Sequence, residues 1–127
     1  MTNPSDNMRD RRTTGKRGEE LAARFLAKRG YALIDANWRT RIGEIDLITK
    51  TGETLVFVEV RSRTGRSHGT AGESIGPIKQ RQITRMAEQY LQYHATPGPC
   101  RIDVVTVDFL PDGQVSIEHL IGAVDIS

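Results

Sequence analysis

GEIDLITKTGETLVFVEVRSR, Gly43 to Arg63, reads as two short strands joined by a tight turn, and the rest of the chain is arranged around it. Alternation along a strand puts Ile45, Leu47 and Thr49 on one face of the first half and Glu44, Asp46 and Ile48 on the other. Lys50 to Glu53, with Gly52, supplies the turn. In the second half Val56, Val58 and Val60 share one face, while Leu55, Phe57, Glu59 and Arg61 share the other. Acids and a cation therefore stand at the ends of apolar strands, where an unpaired charge is expensive and a metal or substrate partner is expected.

Outward from this hairpin, helices and further strands follow. Thr13 or Thr14 caps a helix running to about Arg29 and stopping at Gly30, with Leu21, Ala22, Phe25 and Leu26 on one face and Gly18 near its centre. Glu19 borders that face and looks toward the sheet, whereas Glu20 faces water. Tyr31 to Trp38 reads as the first strand, and the basic Arg39, Thr40, Arg41 segment leads into the hairpin. Beyond Arg61 lies a Gly-, Ser- and Thr-rich loop containing Arg63, Arg66 and His68. His68, an exposed loop histidine, is kept out of the site.

Pro77 opens a second helix to about His94, with a core stripe of Ile83, Met86, Ala87, Tyr90 and Leu91 and with Lys79, Arg81 and Arg85 off that stripe. Two strands, from Cys100 and from Gln114, close the chain. The order α-β-β-β-α-β-β predicts an α/β domain whose central mixed sheet is flanked by helices. Residues 1–12 lack periodicity and read as a disordered basic tail, leaving 13–127 as a single domain.

Bulk composition is that of an ordinary globular protein, with 37% hydrophobic and 27% charged residues among 127. The lone Cys100 cannot close an internal disulfide, and neither a signal peptide nor a membrane span is evident, so a cytoplasmic location away from membranes is expected. The net charge of +2 conceals an asymmetry. All 18 Lys and Arg lie at or before Arg101, whereas Asp103, Asp108, Asp112, Glu118 and Asp125 leave the final segment purely acidic. An anionic partner is expected to meet the first part, and nucleic acid is the obvious one.

Phosphodiester cleavage needs a hard divalent cation and oxygen ligands to hold it. Asp46 and Glu59, 13 residues apart across the hairpin, can be brought to one Mg²⁺ by neighbouring strands, and Arg61 points to the same face as Glu59; the spacing alone equally fits a salt bridge at a strand edge. Arginine there can hold a phosphate or stabilise developing charge, but it does not give up its proton.

G-x-x-G-E at Gly15 to Glu19, N-x-R at Asn37 to Arg39, GEIDLI at Gly43 to Ile48 and LVFVEVRSR at Leu55 to Arg63, extended by Lys79 and the RIDVV strand at Arg101 to Val105, resemble the YraN-like family of small bacterial proteins. That family resembles in turn the PD-(D/E)xK nucleases, with their restriction-endonuclease-like fold, and among them the archaeal Holliday-junction resolvases. The resemblance implies a helix carboxylate at Glu19, metal ligands at Asp46, Glu59 and the Val60 backbone carbonyl, and a catalytic cation at Arg61. It implies one or two Mg²⁺ or Mn²⁺ ions and a magnesium-dependent endonuclease acting on DNA rather than RNA, on structured or branched DNA in particular. Arg39, Arg41, Arg63, Arg66 and Lys79 are the expected phosphate contacts, and a homodimer is expected by analogy to the resolvases.

The chain departs from the superfamily pattern in one position that matters. Arg61 stands where lysine is usual, and Ile45 stands for the proline of the motif. If the lysine acts electrostatically, Arg61 serves; if it must orient or deprotonate water, the chain is a nucleic-acid-binding module with a degenerate site.

Overall fold

The computed structural model describes residues 4–65, 75–95 and 97–124, with side chains described from Thr13 onward. Its elements are α1 (Pro4–Lys28), β1 (Ala32–Thr40), β2 (Gly43–Thr51), β3 (Thr54–Thr64), α2 (Pro77–His94), β4 (Cys100–Phe109) and β5 (Val115–Val124). The five strands form one sheet in sequential order, β1-β2-β3-β4-β5. Every pairing is antiparallel except β3 with β4, which is parallel and needs a crossover. That crossover contains α2. The result is the α-β-β-β-α-β-β order read from the sequence and is consistent with a restriction-endonuclease-like fold.

Each helix covers one face of the sheet. Ala22 and Leu26 of α1 pack on Leu47, Val56, Val58, Val105 and Val107. Ile83, Met86, Ala87 and Tyr90 of α2 pack on Ile45, Ile48, Leu55, Phe57, Ile102 and Val104. Burial of each large apolar side chain stabilises the fold by roughly 1.5–3 kcal/mol, so these two layers are the main source of stability. Among the described residues, no helix is long and apolar enough to cross a membrane.

The helix expected from Thr13 or Thr14 starts at Pro4 instead, so helical backbone covers most of the segment read as a tail; Pro4 has the fixed φ that suits a first helical turn. Extending a helix already nucleated against a sheet costs little, and such an extension leaves no apolar periodicity to read. The close of α1 matches the sequence reading, with Tyr31 N–H donating to the Leu26 carbonyl as the chain turns into β1.

Strict alternation along β2 does not hold. Ile45 joins Ile48 in the α2-side core, while Leu47 belongs to the α1-side core. The pleat therefore changes face between Ile45 and Leu47. The change falls opposite Asn37 of β1, which adopts φ 54 and is the one position between Ala36↔Leu47 and Trp38↔Ile45 without a paired partner, while the register shift of this ladder lies between Leu33 and Asp35. Asparagine tolerates this left-handed conformation better than most residues. The irregularity falls at Asp46, beside the acids that the sequence marks.

Candidate metal centre

Two elements bring three carboxylates together at this irregularity. Glu19 comes from α1, and Glu44 and Asp46 come from β2. Their carboxylate oxygens lie within 4.8 Å of one another, and all three residues are half-buried. Glu19 reaches the sheet because Gly18, fully buried, lets α1 approach β3 closely; a Cβ at Gly18 would run into the Ser62 side chain. Asn37 then ties two of the acids together. Its amide nitrogen donates to both Glu19 oxygens, at 3.2 and 3.1 Å, and to Glu44 Oε1 at 3.0 Å.

Asp46 is held where two strands part. The β2–β3 ladder runs from Thr51↔Thr54 to Leu47↔Val58 and ends there. Beyond it the Val60 N–H donates to Asp46 Oδ2 at 2.8 Å, so the side chain replaces the carbonyl that β2 no longer offers. Glu59, 6% exposed, lies beside Asp46 on the neighbouring strand and faces Lys79, whose Nζ stands 3.5 Å from Glu59 Oε1. Arg61 is half-buried, two residues along the same strand, and its charge bears on Glu59.

The acids strain one another electrostatically. Burial, followed by the Glu59 charge, pushes the Asp46 carboxyl up to about 7, against the Val60 N–H, which favours its ionised form. Burial also raises Glu59, although Lys79 and Arg61 pull it down. Glu19 is raised by burial and by the charges of Asp46 and Glu44, and the Asn37 bonds oppose this. Acids packed this way either share protons or hold a cation.

The sequence reading placed Glu19, Asp46 and Glu59 in the site, and the fold brings these three into one neighbourhood. It missed two residues. Glu44 stands in the cluster itself, and its two-residue spacing from Asp46 was the available signal. Asn37 entered the sequence reading only as part of the N-x-R motif, and its role shows in its backbone angle and its three bonds. Val60 contributes its N–H to Asp46. Thr106 pairs with Arg61 in the sheet and is fully buried, and its Oγ1 has no hydrogen-bond partner among the described residues.

The expected phosphate contacts separate. Arg39 and Arg41 are exposed at the hairpin end, with Arg39 Nε 3.5 Å from Glu44 Oε2. Lys79 borders Glu59. Arg63 is bound internally, donating to Asp108 through Nε at 2.7 Å and Nη2 at 3.0 Å, and so ties β3 to β4. Arg66 and His68 lie outside the described residues.

A second polar cluster is structural. Asp103, fully buried on β4, accepts bonds from Arg101 at 2.8 and 3.0 Å and from the Gly122 N–H at 2.9 Å, and lies 2.7 Å from His119 Nε2. Burial alone would raise its pKa, but these partners together hold it below the ordinary aspartate value. Arg101 also donates to the Tyr31 hydroxyl at 2.8 Å, which joins the end of α1 to the far side of the sheet.

Residues 18–107 match the profile of the uncharacterised protein family UPF0102. A UPF0102 protein of Symbiobacterium thermophilum is 50% identical over 105 residues, covering 82% of this chain and 89% of its own. Similar proteins of Anaeromyxobacter dehalogenans and Frankia alni are 45% and 44% identical, each covering 91% of this chain and 86% and 98% of their own lengths. All the residues that build the carboxylate centre, from Glu19 to Lys79, lie inside the matched region. By this match over residues 18–107 and these identities, this chain belongs to the UPF0102 family.

Proposed function

We propose that this chain is a divalent-metal-dependent endonuclease that hydrolyses phosphodiester bonds in DNA, with branched or otherwise structured DNA as its substrate. One observation carries the reading. Glu19, Glu44 and Asp46 converge on a single half-buried point, with Glu59 beside Asp46 and two cations, Lys79 and Arg61, on the Glu59 side.

The donor set fits a hard cation. Carboxylate oxygens alone suit Mg²⁺ or Mn²⁺ and not a thiophilic metal, and the burial that raises all three carboxyls of Asp46, Glu59 and Glu19, with the acid repulsion that adds to it at Asp46 and Glu19, is relieved by positive charge between them. Glu19, Glu44 and Asp46 would hold the ion, with Glu59 as the neighbouring carboxylate. When bound, such an ion supplies positive charge against phosphate oxygens and makes nearby water more acidic.

Hydrolysis forms a bond from a water oxygen to phosphorus, breaks the bond to the leaving sugar oxygen and delivers a proton to that oxygen. The chain's own groups have definite parts in this. Lys79 and Arg61 offer donors to the non-bridging oxygens of the phosphate, and Arg61 acts there as a fixed charge and not as a base. Asn37 keeps Glu19 and Glu44 aligned. Arg39 and Arg41 meet the flanking phosphates, and this contact is independent of sequence and weakens with salt. A homodimer, by analogy to junction resolvases, would present two such centres to two strands.

Arg61 in place of lysine favours a second reading, in which the centre binds structured DNA without cutting it. A panel of duplex, flap, single-stranded and four-way-junction DNA, incubated with Mg²⁺ or Mn²⁺, separates the two. The endonuclease reading expects cation-dependent cutting that Asp46→Asn abolishes. Binding without cutting in the native chain, with cutting restored by Arg61→Lys, would establish the second reading and overturn the first.

A further inference from the structure

Joined to the carboxylate centre through Arg39, the tip of the β1–β2 hairpin and the last turns of α2 form an open cleft of about 640 Å³ lined by Trp38, Arg39, Arg41, Gln89, Gln92 and Tyr93, among others. We propose that this cleft is a nucleobase pocket, which receives one unpaired nucleotide of a DNA strand whose phosphate lies at the centre. The proposal rests on the endonuclease reading for its location and deepens it by naming the substrate feature recognised, a base out of its duplex stack.

The lining suits that ligand and few others. Trp38 is half-buried, fixed from behind by an edge-on contact with Tyr90 at 5.2 Å, so part of its indole remains as a rigid wall of the cleft. Tyr93 also lines the cleft and is 81% exposed, its ring braced, among the described residues, only by an edge-on contact with His94 at 5.2 Å. Two aromatic walls separated by a cleft are a stacking platform for a flat heterocycle. Gln89 and Gln92 are exposed and, among the described residues, their amides have no hydrogen-bonding partner; each presents a donor and an acceptor, the pairing that base edges match.

Charge fixes the direction of the strand. Arg41 is exposed and has no ionic partner among the described residues, so its guanidinium is open to a phosphate at the mouth of the cleft. Arg39 lines the same cleft while its Nε stands 3.5 Å from Glu44, a member of the acid cluster. The cleft and the cluster are thus continuous through one side chain. A nucleotide whose base enters between Trp38 and Tyr93 brings its own backbone past Arg39 to the carboxylates. Fully stacked duplex cannot offer a base in this way, whereas a branch point, flap or single strand can.

Trp38 is the only tryptophan in the chain, so its fluorescence reports the pocket directly. The test titrates the full-length protein, in EDTA and low salt, with an oligothymidylate and with an abasic oligonucleotide of the same length and charge. Saturable quenching by oligothymidylate, binding at least about ten-fold weaker for the abasic strand, and a loss of about ten-fold or more in Tyr93→Ala are expected, the size that one base–aromatic stack contributes. Equal binding of both strands would overturn the proposal, since phosphate contacts alone would then explain affinity. Absence of quenching in a protein that cuts DNA would overturn the pocket and leave the endonuclease reading standing. Quenching with base dependence in a protein that never cuts would keep the pocket and remove the endonuclease. If Tyr93→Ala instead converts a dimer to a monomer without altering any DNA response, the cleft is a contact between copies of the chain and the proposal fails.

Discussion

Replacing Asp46 by asparagine should stabilise the metal-free protein at high pH and leave it nearly unchanged at low pH. The folded Asp46 carboxyl keeps its proton up to about 7, while the unfolded group loses it near 3.8. Between those values the folded state binds more protons than the unfolded state. Stability attributable to this group is therefore full below the lower value and is lost as pH rises through the upper one. Three pKa units correspond to roughly 4 kcal/mol, a figure that belongs to the coupled Asp46–Glu59 pair and is an upper bound for Asp46 alone. Asparagine keeps an acceptor for the Val60 N–H and can donate to Glu59, so little is lost when the charge is removed. Allowing for that sharing, a gain of about 2–4 kcal/mol is expected at pH 9, or roughly 10 °C in Tm for a chain of this size. Thermal unfolding followed by circular dichroism in EDTA at pH 5, 7 and 9 measures it. A variant no more stable than the native chain at pH 9, or stabilised equally at all three values, would refute the electrostatic account of the cluster.

Substitutions at Gly18, Asn37 and Asp103 separate what supports the cluster from what supports the fold. Gly18→Ala should destabilise by about 1–3 kcal/mol despite the helix preference for alanine, because the methyl meets Ser62, and pairing it with Ser62→Gly should recover most of the loss in a denaturant melt. Asn37→Gly keeps the left-handed backbone but removes the bonds to Glu19 and Glu44, whereas Asn37→Ala loses both; Mn²⁺ affinity should fall in each, and only the alanine variant should lose about 1 kcal/mol or more of stability to backbone strain. Asp103→Ala should cost about 3–5 kcal/mol in urea unfolding because it strands Arg101 beside a buried His119, with no effect on Mn²⁺ affinity per folded molecule.

The layout of this fold was legible because its local signals agree. Apolar stripes at helical spacing marked α1 and α2, Pro77 marked the opening of the second helix, and the valine-rich segments marked β3 and β4. Glu19 was legible for the same reason: its angle from the buried Ala22–Leu26 stripe pointed it at the sheet. What escaped was whatever depends on a departure from regular geometry. Alternation along β2 assigned Ile45 and Leu47 to one face, but the pleat breaks between them, opposite a left-handed residue on the next strand, and no period in β2 records what β1 does. The role of Asn37 and the membership of Glu44 follow from that break. The partner of Arg63 was equally hidden, since Asp108 is 45 residues away in sequence and becomes its neighbour only through a parallel pairing. The basic side chains read together as phosphate contacts thus divide into open ones at the hairpin and one used to bind the sheet together.

The account depends most on Glu19, Glu44 and Asp46 forming a cation site, and a calorimetric titration of Mn²⁺ into the native chain and into Asp46→Asn at pH 7.5 tests that directly. Saturable binding in the native protein, accompanied by proton release and lost in the variant, is the predicted result. If Mn²⁺ at millimolar concentration gives no saturable binding to the native chain, the acids are a proton-sharing cluster, and the endonuclease reading loses its chemical basis.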